Sequence, residues 1–182
     1  VLMDDNFASI VNAVEEGRAV YDNIRKFLIY LLSCNAGELM LMLVASLLGW
    51  PIPLLPVQLL WINLVTDGLP ALALAMEPPE PGLMQRRPRP ETEPMLSRSV
   101  SLTVLGQGLL LAFVGLAAFW LSYDQESDLA QARTVTFCVL VFAELFRALA
   151  ARSQRWTFWQ LGVTTNWYIF AAVVVSILLQ VG

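Results

Sequence analysis

The 182-residue chain contains no histidine, which removes the commonest transition-metal ligand and the usual general base. Its two cysteines, Cys34 and Cys138, both fall in apolar stretches. There the ordinary role is that of a small buried hydrophobe, and a disulfide or soft-metal pair is the rarer use. Charge is scarce as well. Asp, Glu, Lys and Arg make up 14% of the residues, against about 25% in a soluble domain. The start, Val1 running into Asp4-Asp5-Asn6, lacks the pattern of a signal peptide, and the chain reads as a piece of something longer. The net charge of −4 says little about partners, and no basic patch suggests nucleic acid.

What is abundant is hydrophobic sequence, 57% of the chain, gathered into long blocks. The expected fold is therefore all-α, a polytopic transmembrane bundle of about five spans. Asp5 or Asn6 can cap a helix that runs from about residue 6 to 48, roughly 65 Å at 1.5 Å per residue. That is about twice a hydrocarbon core, so residues 1–26 form a stalk outside the lipid. Gly17 and Gly37 are candidate soft points in the rod. Gly49-Trp50-Pro51-Ile52-Pro53 ends it, and residues 27–76 read as an antiparallel hairpin. Residues 77–101, rich in Pro and Arg, read as an extramembrane loop without regular structure. Residues 102–182 hold three further spans, near 102–123, 134–150 and 167–181. Trp120, Tyr123, Trp156, Trp159, Trp167 and Tyr168 lie near span ends, where amphipathic rings prefer to sit.

Ten of the eleven basic residues lie in the stalk, in the Pro-rich loop or after the fourth span (Arg147, Arg152, Arg155), leaving Arg133 alone opposite them beside Asp124, Glu126 and Asp128. Positive-inside then places the N-terminus, that loop and the segment after span four in the cytosol. The odd span count predicts at least one further helix.

The polar residues inside the spans carry the functional reading. Asn63, Thr66 and Asp67 stand at i, i+3 and i+4 in Leu59–Pro70, one face of a helix. Gly68 and Pro70 follow and weaken that helix, freeing carbonyls. Asn35 and Glu38 form a second such face, and Glu144 stands mid-way along the fourth span. A lone Asn or Thr in a span is more often glue between helices, which is the role expected of Ser33, Gln58, Thr103 and Gln107. An intramembrane carboxylate costs roughly 2.5–3.5 kcal/mol on insertion scales. Six such residues on three spans, with two face-matched pairs, favour a cation site. Asn35, Glu38, Asn63, Thr66, Asp67 and Glu144 offer roughly six to eight oxygens, the number Ca²⁺ takes. With no sulfur or nitrogen ligand evident, a hard cation is expected over copper or zinc. Emptied, the three carboxylates would take up protons, so cation movement is expected to be coupled to protons moving the other way.

At these residues the chain resembles the C-terminal transmembrane half of P-type cation-transporting ATPases, in particular Ca²⁺ pumps of sarco/endoplasmic reticulum type and their bacterial relatives. Asp4-Asp5-Asn6-Phe7-Ala8-Ser9-Ile10 with Glu15-Glu16-Gly17-Arg18 is similar to the exit from the family's phosphorylation domain. Asn35-Ala36-Gly37-Glu38 resembles the site motif of its fifth helix, and Pro56 through Pro70, with Pro78-Pro79 behind, that of its sixth. Glu144 falls where the eighth supplies a carboxylate. The resemblance implies that the five spans are helices five to nine of ten. It implies one Ca²⁺ site of Asn35, Glu38, Thr66, Asp67 and Glu144, and a second sharing Asn63 and Asp67. In the family that second site is completed by a fourth-helix glutamate and backbone carbonyls. It also implies that the first helix is the rod that carries motion from the phosphorylated domain to the ions. ATP and Mg²⁺ belong to the intact pump: no Asp-Lys-Thr-Gly or Thr-Gly-Glu motif stands here, and this chain alone is not expected to hydrolyse ATP. The implied partners are membrane lipid, the cation and the pump's N-terminal half, in a bacterial inner membrane if the source is bacterial. Mn²⁺ accepts the same ligands. The competing reading is a stand-alone helical module, assembling with or regulating another protein without transporting anything itself.

Overall fold

The computed structural model describes residues 7–87, 94–123, 128–153 and 165–181. The expected roles of Asp4, Asp5, Asn6, Arg89, Asp124, Glu126, Arg155, Trp156 and Trp159 lie outside the described residues. All regular structure among the described residues is helical. In chain order it comprises α1 (Phe7–Leu47), α2 (Pro56–Trp61), a π-helical turn (Ile62–Thr66), α3 (Gly68–Ala75), a 3₁₀ turn (Leu83–Gln85), α4 (Arg98–Ser122), α5 (Leu129–Ala150) and α6 (Trp167–Val181). Four stretches are long and apolar enough to cross a bilayer: α1, Pro56–Ala75, α4 and α5. The fifth apolar helix, α6, is shorter; its 15 residues cover about 22 Å, less than the roughly 30 Å of a hydrocarbon core.

The rod ends by a mechanism visible in its sequence. Gly49 adopts φ +70°, Trp50 N–H donates to Ala45 O (2.9 Å) and Gly49 N–H to Ser46 O (3.1 Å). This is a Schellman cap, which needs a residue without Cβ strain in the left-handed region. Pro56 then opens α2 at its first position, where a missing N–H costs nothing. Gln58, expected to be helix glue, instead turns back so that Leu55 N–H donates to its Oε1 (2.8 Å).

One further expectation is corrected. Gly37 is not a soft point: α1 is continuous there, and α4 comes so near that an added Cβ would lie 2.8 Å from Leu111 Cβ and 3.2 Å from Gly108 O. Gly108 faces it, with Ser33 O 3.3 Å from its own would-be Cβ. Small residues let the two backbones approach, a packing device of membrane helices. The loop after α3 keeps the irregular course expected of it apart from one 3₁₀ turn, but several of its side chains clamp it to the bundle. Glu77, Glu80 and Leu83 are all buried. Arg152 Nε and Nη2 donate to Glu77 Oε1 (3.0 and 2.8 Å), and Asn166 Nδ2 donates to Glu77 Oε2 (2.5 Å). From the other side, Asn23 Nδ2 donates to the Glu77 carbonyl (2.6 Å), Lys26 pairs with Glu80 (2.9 Å), and Arg86 bridges Glu80 and Asp22 (2.6 and 2.7 Å). The loop thus ties the lower part of α1 to the α5–α6 junction.

Candidate metal centre

The hairpin's second limb bends where its chemistry sits. Pro70 has no N–H for the Thr66 carbonyl, and its ring would crowd that oxygen in a regular helix. The chain responds by widening: Asp67 N–H reaches back to Ile62 O (2.9 Å), one residue farther than in an α-helix. The freed Thr66 carbonyl lies 3.4 Å from the Tyr30 hydroxyl. Inserted π turns of this kind gather at functional sites. The continuous α-helix assumed for Asn63, Thr66 and Asp67 is therefore replaced by α2, the π turn and α3. Thr66 and Asp67 are buried, while Asn63 is half-buried.

The three carboxylates converge. Asp67 and Glu144 have no exposed surface and Glu38 very little, and the three act on one another electrostatically across α1, the π turn and α5. Asn63 Nδ2 donates to Glu38 Oε2 (2.7 Å), and the Tyr30 hydroxyl donates to Asp67 Oδ1 (3.0 Å). Four oxygens are left over: Glu38 Oε1, Asp67 Oδ2 and both oxygens of Glu144 are buried without a hydrogen-bond partner. Leaving such groups unpaired in an apolar interior costs several kcal/mol, so these oxygens call for protons, water or a cation. Asn35 is placed differently. It is half-buried, and its amide donates to Leu31 O in its own helix (2.8 Å), leaving its oxygen as the only atom available to a cation.

Three residues that sequence reasoning passed over belong to this centre. Tyr30 is fully buried beneath Asp67. Cys34, read only as a packing residue, has its sulfur among the carboxylates: ligand atoms of Cys34, Asp67 and Glu144 all lie within 4.8 Å of one another. Its spacing of four from Glu38 was the available signal. Arg147, counted among the cytosolic basic residues, instead turns into the bundle one turn from Glu144. It lies 5.7 Å from the Tyr30 ring centroid, donates to Ile29 O (3.3 Å) and to Ser33 Oγ, and exerts its charge on Asp67 and Glu144. Ser33, expected only to join helices, is thereby its anchor. Cys34 and Cys138 are both free thiols.

Residues 51–182 match the sequence profile of the family described as cation transporting ATPase, C-terminus. Across 99% of its length the chain is 45% identical to a calcium-transporting ATPase of Bacillus subtilis (strain 168), of which it covers 20%. It is 40% identical to calcium-transporting ATPase 1 of Bacillus cereus (strain ATCC 10987 / NRS 248), covering 22% of that protein. The chain thus spans about a fifth of the length of the curated relatives it matches.

Proposed function

Because the chain belongs to the family of cation-transporting ATPase C-terminal regions, we propose that it carries the ion-binding membrane segment of a P-type ATPase that moves Ca²⁺ out of the cytosol. One observation carries this reading: four buried carboxylate oxygens from three separate helical segments stand without hydrogen-bond partners, on residues close enough to act on one another electrostatically. Ca²⁺ takes 6–8 oxygens at about 2.3–2.6 Å. Glu38, Asp67 and Glu144 would supply the charge, with Thr66, Asn63 and Asn35 adding neutral oxygens. Mn²⁺ fits the same set, and Ca²⁺ is favoured by the names of the relatives.

The chain's own residues divide the work. Asn63 holds one oxygen of Glu38 and turns the other inward. Tyr30 does the same for Asp67. Arg147 offsets part of the negative charge while the cation is absent, and protons taken up by the carboxylates offset the rest, which makes proton countertransport the accompanying reaction. The unbroken α1 transmits displacement from the cytosolic side to Glu38 because a packed helix moves as a unit. The N-terminus, the loop after α3 and the segment after α5 face the cytosol. ATP and Mg²⁺ act on the intact pump, whose remaining helices and cytosolic domains are the partners of this segment. The division into stalk (1–26), hairpin (27–76), cytosolic loop (77–101) and later helices (102–182) serves this scheme.

The test is a chimera in which this segment replaces the matching fifth of the Bacillus subtilis relative. ATP-dependent Ca²⁺ uptake into inverted vesicles is expected, and should be abolished by Glu38→Gln, Asp67→Asn or Glu144→Gln with the protein still inserted. Undiminished uptake in all three would falsify the site. An internal pH that stays constant during uptake would remove the proton arm alone.

A further inference from the structure

The oxygens explain a hard cation, but not the sulfur beside them, which shares a hydrogen bond with Asp67. Cys34 has no exposed surface and stands one helical turn before Glu38 on the same face of α1. Its Sγ and one oxygen each of Asp67 and Glu144 lie within 4.8 Å of one another. A point therefore exists no more than about 2.8 Å from all three, so that a side-chain shift of about 0.5 Å brings them to the roughly 2.0–2.3 Å of zinc bonds. Asp67 Oδ1 accepts from Tyr30, but Asp67 Oδ2 and both Glu144 oxygens are buried without a hydrogen-bond partner. One sulfur with two carboxylates is not the set that a purely hard ion selects. Thiolate shifts preference toward zinc-like metals.

The geometry points to Cys34, Asp67 and Glu144 as a second, thiophilic coordination mode of the same cavity, taking a divalent cation of the Zn²⁺ or Cd²⁺ class in competition with Ca²⁺. The inference deepens the proposed transport site by naming a second class of cation for it. On binding, the Cys34 S–H bond gives way to an S–metal bond and its proton leaves to water, as for any thiolate ligand. Because Asp67 and Glu144 are shared, the two cations exclude each other. Arg147, within electrostatic reach of the thiol and both carboxylates, limits the charge that an arriving divalent ion must neutralise.

The experiment titrates Cd²⁺ alone into the full chain in nanodiscs, in a Cys138→Ser background that leaves Cys34 as the only thiol. A thiolate-to-cadmium charge-transfer band should rise, saturate at one ion per chain and fall on addition of excess Ca²⁺. Cys34→Ser and Cys34→Ala should both lose the band and weaken Cd²⁺ binding by about 10–100-fold. Absence of the band in the parent overturns the inference without needing any variant. Equal Cd²⁺ affinity in parent and Cys34→Ser overturns it as well. The chimeric pump separates this from the transport reading. If uptake of Ca²⁺ survives Asp67→Asn while the cadmium band is present, the transport reading falls and the sulfur ligand stands. If uptake is lost in that variant but no band forms, the reverse holds.

Discussion

Removing the Glu77 carboxylate should be among the most damaging changes outside the metal centre. Glu77 and Arg152 side chains are 3% and 1% exposed, so neither charge retains water as an alternative partner. Glu77→Ala takes away the acceptor of two Arg152 donors and of Asn166. Arg152 keeps other partners, Thr165 (2.5 Å) among them, but loses its counter-charge. Breaking a buried pair from one side costs about 3–5 kcal/mol, because the other ion loses its counter-charge. Arg152→Ala leaves the carboxylate with Asn166 but without a counter-charge, and should cost about the same. The double replacement Glu77→Leu with Arg152→Met leaves neither charge of the pair behind, though Asn166 and Thr165 each lose a partner. It should fall well short of the summed single losses, leaving a coupling of about 2 kcal/mol or more. Unfolding in mixed micelles with increasing SDS, followed by tryptophan fluorescence, measures all four proteins. Single variants that lose less than about 1 kcal/mol, or a double variant equal to the sum, would refute the clamp.

Other outcomes follow from single distances. Gly37→Ala places a methyl against Leu111 Cβ and the Gly108 carbonyl; overpacking of this kind costs about 1–3 kcal/mol, read in the same unfolding assay. Gly17→Ala, whose Cβ would meet nothing within 4 Å, should be harmless or mildly stabilising. Burial pushes the Glu80 carboxyl up, but bonds from Lys26, Arg86 and Ser153 outweigh it and hold it below the usual carboxylate range. A depressed folded-state value means the unfolded chain binds the proton more readily. Its stabilisation is present above the ordinary carboxylate pKa and is lost as pH falls through the depressed one. Glu80→Gln should flatten that acid limb in unfolding measured against pH, and an unchanged limb counts against the assignment. Arg147→Met should leave insertion intact and alter the pH dependence of Ca²⁺ binding, since it deletes a cation acting on Asp67 and Glu144; an identical pH profile contradicts that role.

The extent of the helices was legible because it follows from local chemistry. Hydrophobic run length marked the spans, and Gly49 before Pro51 marked the end of α1. The carboxylates of Glu38, Asp67 and Glu144 were conspicuous because an intramembrane acid is costly and needs a reason to be there. That they converge is a tertiary fact that one-dimensional spacing only suggested. Spacing in sequence gives the angle between residues on one helix. It does not give the rotation of one helix against another, which the Gly37–Gly108 approach and the packing of α4 on α1 and α5 determine. Hence Cys34 looked like filler until α1 was turned so that its sulfur met Asp67 and Glu144. Hence also Arg147, whose charge counted toward topology, proved to point at Ser33 and Tyr30. The i, i+3, i+4 rule for Asn63, Thr66 and Asp67 presupposed regular α geometry, and Pro70 replaced it with a π turn. The Glu77 clamp was invisible because its partners, Asn23, Arg152 and Asn166, are remote in sequence. The amino-acid sequence by itself determined which residues enter the membrane and which carry charge there, because both depend on free energies of transfer. Only the folded bundle decided which of those charges meet, because that depends on shape.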